Sequence, residues 1–171
     1  MEITELFFTT PNPIHAYGLV FLLGSLTVSS LSDLRRMAAQ ADFAEVWAAY
    51  AVFMFTVDVY LGMTAQLQLL PFILKWLLIL IFAAAATGTH LMQISTMDTA
   101  AEIALLSTLN PAYIILALLL TLLVNELIKP ILSKYGEGGA YPFLPTILAV
   151  NLLILITILA GGIETHLGQI F

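Results

Sequence analysis

Long apolar runs, broken by short polar stretches, organise this chain. A helix that crosses a membrane needs about 20 predominantly apolar residues. Runs of that kind lie at about 15–31, 44–61, 70–86, 99–109, 111–128 and 142–160. They predict an all-α, polytopic membrane protein: a six-transmembrane-helix bundle forming a single membrane-embedded domain over 1–171. Pro13 can open the first helix, since proline is tolerated at a helix entry. The third is entered through Pro71. The fourth is short and mixed in character. It stops at Asn110-Pro111, because a proline disfavours helical geometry in the residue before it. The fifth is expected to end at Lys129-Pro130, and the sixth at Gly161-Gly162. No stretch alternates with period two, which argues against a membrane β-barrel.

Composition strengthens this picture. The chain is 61% hydrophobic and 9% charged, against about a quarter charged in an ordinary soluble domain. So few charges cannot cover a water-facing surface, and a lipid solvent removes the need. The net charge of −6 leaves no basic stripe to neutralise phosphates, so nucleic acid is not an expected partner. The absence of cysteine excludes disulfides, thiolate metal sites and thiol nucleophiles. The opening residues carry Glu2 and Glu5 where a cleaved signal peptide would be basic, so Met1 is expected to belong to the mature protein.

The five basic residues set an orientation. Arg35 and Arg36 follow the first helix, and Lys129 and Lys134 follow the fifth. With six spans these four share one side, which the positive-inside rule marks as cytoplasmic. Both termini are then placed outside, in a multi-pass protein of the cell membrane. Lys75 falls near the outer interface, where its stem could snorkel to water.

Two carboxylates fall at the cytoplasmic ends of different helices. Asp33 closes the first helix and Asp98 opens the fourth. Two carboxyl groups in contact cannot both ionise, so they share a proton. One then serves as general base towards a water and the other as acid towards a carbonyl, which is aspartic-protease chemistry. Position alone also allows two plainer roles. Asp33 can pair with Arg35 or Arg36 at a helix end, and Asp98 can be the N-cap of the fourth helix.

Several segments, in order, bear on this choice. The first aspartate stands in a run of small residues followed by Asp33-Leu34-Arg35-Arg36, with Val46-Trp47 downstream. The second opens a helix of small and apolar residues that stops near a proline. Tyr141-Pro142-Phe143-Leu144-Pro145 precedes the last helix. From about 25 to 155, this pattern resembles the prepilin and preflagellin peptidases, membrane aspartic peptidases of type IV pili and archaeal flagella, and in particular their short archaeal form. The resemblance implies Asp33 and Asp98 as the catalytic pair, without a cofactor or metal. It implies cleavage of a leader peptide that precedes a hydrophobic helix, at the cytoplasmic membrane face. The chain departs from that family at its second motif, Gly-x-Gly-Asp: Ser95 and Met97 replace the glycines, and Ala100 stands where the family favours lysine. The alternative is therefore a catalytically inactive homologue, a structural subunit of a membrane complex.

Other polar residues each admit two readings. Asp58, inside the second helix, is a functional candidate because a membrane-embedded carboxylate is costly unless paired or protonated; it can equally face water or Lys75 near the outer end. Glu102 lies one turn after Asp98 on the same face, either as a member of a carboxylate cluster or as an exposed first-turn residue. Glu126 is expected to pair with Lys129. His15 and His166 could in principle flank a haem at the outer side, while His90 lies towards the inner one. Gly136-Glu137-Gly138-Gly139 is a loop with no preceding strand, so it is no dinucleotide fingerprint. A transport or ion-pathway role built on Asp58 and Asp98 is the third reading.

Overall fold

A computed structural model describes residues 13–36, 42–64, 67–88, 94–136 and 140–167, with the backbone alone for Arg36, Gly88 and 161–167. These residues are almost entirely helical and form no strand. Six α-helices follow one another: α1 (Pro13–Arg36), α2 (Asp42–Met63), α3 (Leu69–Gly88), α4 (Thr96–Ser107), α5 (Pro111–Leu132) and α6 (Leu144–Leu167), with a 3₁₀ turn at Ser133–Tyr135 after α5. Four of them, α1, α2, α3 and α5, are long and apolar enough to cross a membrane. The apolar part of α6, Leu144–Ala160, is shorter.

Each expected run is a helix, but the ends differ. α1 continues past 31 to include Asp33 and both arginines. α4 starts at Thr96 rather than near 99 and stops at Ser107. α5 runs through Pro130. A proline removes one backbone bond, and in the last turn, where carbonyls already lack helical partners, that loss costs little. α6 begins at Leu144 and continues beyond Gly161-Gly162.

The bundle is apolar outside as well as inside. Large side chains including Val20, Phe53, Leu80, Leu119, Leu123 and Leu159 are exposed, while Ser29, Ser30, Thr99, Ser107, Thr146 and Asn151 are buried. A water-soluble bundle would reverse that pattern, and a lipid-facing one shows it. α4, only 12 residues long, rises about 18 Å. It lies among the other helices, packing against α1, α2, α3 and α6, and its buried face runs through Ala101, Ala104, Leu105 and Leu106. Trp47 of α2 is fully buried, and its indole N–H donates to Ser25 of α1 at 3.1 Å.

α1 and α2 close around one small residue. A Cβ at Gly18 would overlap the Tyr50 hydroxyl, with the Thr108 methyl 3.3 Å away, whereas a Cβ at Gly24 would meet nothing. Tyr50 is further fixed by stacking on Phe21 at 5.4 Å. Gly18→Ala is expected to cost about 1–3 kcal/mol through overpacking. Gly24→Ala, which gains helix propensity, should stabilise by up to about 1 kcal/mol. Unfolding of the two variants in detergent checks the contrast.

Candidate functional site

Polar side chains gather at two opposite ends of the bundle. The first end is built on Asp58, which sits late in α2, faces the interior and is 1% exposed. Lys75 of α3 pairs with its Oδ2 at 2.6 Å, and the Trp76 indole N–H donates to the same oxygen at 3.0 Å. His15 of α1 meets Oδ1 at 2.9 Å, and the Lys75 ammonium lies 3.5 Å from the same imidazole nitrogen. Three helices are thus joined through one carboxylate whose two oxygens both have partners. The expectation of a Lys75 that snorkels to water is corrected: it is 4% exposed, because Asp58 offers the ammonium a charged partner inside. His15 spends a ring nitrogen on Asp58, which speaks against the haem reading. His90 and the side chain of His166 lie outside the described residues.

The second end holds Asp33 and Asp98. Asp33 is buried near the C-terminus of α1. Its Oδ2 accepts the backbone N–H of Leu144 at 3.4 Å, and the amide of Phe143 is directed at it as well. The first aspartate therefore caps the last helix, across most of the chain. That corrects the expected pairing with Arg35, which is exposed; the side chain of Arg36 lies outside the described residues. The Tyr141–Pro145 stretch that delivers these amides is itself pinned, since the Tyr141 hydroxyl pairs with the Asn125 carboxamide of α5 at 2.9 and 3.0 Å.

Asp98 is not the N-cap of α4. Ser95 is: its hydroxyl accepts the Asp98 N–H at 3.1 Å and donates to the Asp98 Oδ2 at 2.7 Å. Asp98 occupies the third helical position, where a carboxylate also complements the helix dipole. Ser95 has φ −66° and ψ 157°, a conformation open to any residue, and Met97 is an ordinary helical residue packed against the core. The two departures from Gly-x-Gly-Asp thus fall where the backbone does not require glycine. Asp98, which lies outside the four candidate spans, has its pKa pushed up to about 6, mainly by burial, with the charge of Asp33 adding to it and the Ser95 bonds opposing. The packing of α1 on α4 brings the charge of Asp33 to bear on Asp98.

Glu102 is the residue that changes most from its expected setting. It is 2% exposed, not a solvated first-turn side chain. Its Oε1 accepts the Thr121 hydroxyl of α5 at 3.0 Å, and its Oε2 is buried without a partner. The expected Glu126–Lys129 pair is also absent: among the described residues both ion pairs go to Asp58, and Lys129 instead lies over the Tyr141 ring at 5.9 Å. No group of acidic, histidine or cysteine side chains suited to a metal ion occurs among the described residues. The Thr121 bond, the Trp76 bond and the His15 bond join different helices, so no periodicity within one helix points to them.

Compared with known protein families, with curated proteins and with solved structures, the chain matches none.

The Asp58 cluster makes a stability prediction. Removing one member of a buried ion pair leaves the other uncompensated and costs about 3–5 kcal/mol. Lys75→Met is expected to cost that much in detergent unfolding. The double variant Asp58→Asn with Lys75→Met should lose less than the sum of the two single changes.

Proposed function

We propose that the chain is a six-span membrane aspartic endopeptidase of the prepilin-peptidase type. The observation that carries this reading is the placement of Asp33 and Asp98. They come from helices far apart in sequence and lie at one end of the bundle, where the charge of Asp33 acts on Asp98. Two neighbouring carboxyl groups, one ionised and one protonated, are the arrangement that supplies a base and an acid together. Asp33, facing the α6 amides, is the base that takes a proton from water. Asp98 holds the shared proton and gives it to the oxygen of the scissile carbonyl. When the resulting diol collapses, the proton on Asp33 passes to the leaving amine, and Asp98 recovers its own.

The exposed apolar helix faces suit a bilayer. With four of the five basic residues in the last turns of α1 and α5 or just after them, the aspartate end faces the cytoplasm, and the termini lie outside the cell membrane. The resemblance to prepilin peptidases implies the substrate: a leader peptide that precedes a hydrophobic helix. A second reading, a non-catalytic subunit of a membrane complex, is favoured by Ser95 and Met97 standing in place of the glycines.

Cleavage of prepilin-like peptides by the detergent-purified protein separates the two. Asp33→Asn and Asp98→Asn should each lower the rate by at least about 10²–10⁴-fold while the protein stays folded. Wild-type cleavage should weaken as the pH rises through about 6, where Asp98 loses its proton. A wild type that cleaves none of the peptides, with both variants melting as it does, would leave the subunit reading. Orientation has its own test, since the chain has no cysteine. Thr64→Cys should react with an impermeant maleimide on intact cells, and Ser133→Cys only after the membrane is opened.

A further inference from the structure

We infer that Glu102 is a proton-holding positioning residue for Asp98: a neutral carboxylic acid kept inside the bundle one helical turn from the aspartate pair. The inference rests on the aspartate end being the functional site, but not on a peptide being its substrate.

The geometry is specific. Glu102 follows Asp98 by four residues on α4, which puts the two side chains on one face with about 5–6 Å between their Cβ atoms. The Thr121 hydroxyl, midway along α5, donates to one carboxyl oxygen at 3.0 Å. The other oxygen is buried and has no partner. An ionised carboxylate in that setting would be left with a single neutral hydrogen bond, and burial of an unpaired charge is prohibitive. A neutral carboxylic acid costs far less there, because it buries no charge. Around Glu102, α4 contributes Asp98 as the charged group that acts on it, and α5 contributes the uncharged Thr121. The neighbouring core side chains Ala101 and Leu105 are apolar, and the bundle's buried cation, Lys75, is committed to Asp58.

The consequence is electrostatic: Glu102, held as a neutral acid, lets Asp98 ionise or take up a proton without a second charge beside it. Each ionised partner raises the cost of ionising the other, so the cluster retains a proton at a pH where a solvent-exposed carboxyl would have lost its own.

Infrared difference spectroscopy of the full chain in detergent tests this without any substrate. Wild type at pH near neutrality should show a protonated carboxylic-acid band that Glu102→Gln removes; glutamine keeps the Thr121 bond, so the fold is expected to survive. In Asp98→Asn, the same band should persist but vanish at a lower pH than in wild type, because the opposing charge is gone. A purely structural Glu102 would show no such shift. Absence of a Glu102-dependent band, or a band indifferent to Asp98→Asn, overturns the inference whatever the cleavage assays give. A band that behaves as expected in a protein that cleaves no peptide upholds it, and only the peptidase reading falls.

Discussion

The hydrogen bond from the Leu144 amide to Asp33 ties the start of the last helix to the end of the first, and the geometry of the aspartate end depends on it. A helix that begins inside a membrane protein exposes N–H groups with no intrahelical partner. Pro145, the second residue of α6, removes one of those donors outright. The amides of Phe143 and Leu144 remain, and Asp33 receives them. One carboxylate therefore satisfies a buried helix start, holds α1 against α6, and stands within electrostatic reach of Asp98. The Tyr141–Asn125 pair keeps the segment in place from the side of α5.

Much of the helical framework is legible in the sequence, because each apolar run reports its own burial or lipid exposure. The ends are less so. Gly161-Gly162 and Pro130 look like stops, yet the helix continues through each, and in the last turn of α5 a proline costs little. The site is legible only as a set of candidates. Asp33 and Asp98 stand out as carboxylates at helix ends, but their capping roles do not. Asp33 caps a helix 111 residues away in sequence, and Ser95 rather than Asp98 caps α4. Such pairings are properties of the packed bundle, which single-helix periodicity does not encode. Asp58 with Lys75 was open to a pairing by depth alone, whereas His15 and Trp76 enter through contacts that have no local signature.

Ser95 and Met97, standing where the resemblance to prepilin peptidases expects glycines, read differently once the backbone is known. Glycine is indispensable where φ is positive or where another backbone comes close. Ser95 has φ −66° and Met97 lies in the first turn of a regular helix. Serine gains something glycine lacks, a hydroxyl that binds both the amide and the carboxyl of Asp98. The substitutions thus reshape the surroundings of the aspartate without straining the chain, and Ser95 becomes one of its two kinds of neighbour, the other being a negative charge.

The two polar ends differ in one decisive respect. At the Asp58 end, a buried carboxylate meets a lysine, a histidine and an indole, so negative and positive groups compensate and the cluster fastens three helices. At the other end, Asp33, Asp98 and Glu102 converge with no cation paired to any of them among the described residues. Their partners are amides and hydroxyls alone. Structural pairing would select compensation there as it does at Asp58, because uncompensated carboxyl groups oppose folding whenever they ionise. Carboxyl groups held together against that cost, with amides and hydroxyls as their partners, set this end apart from one whose charges merely join helices.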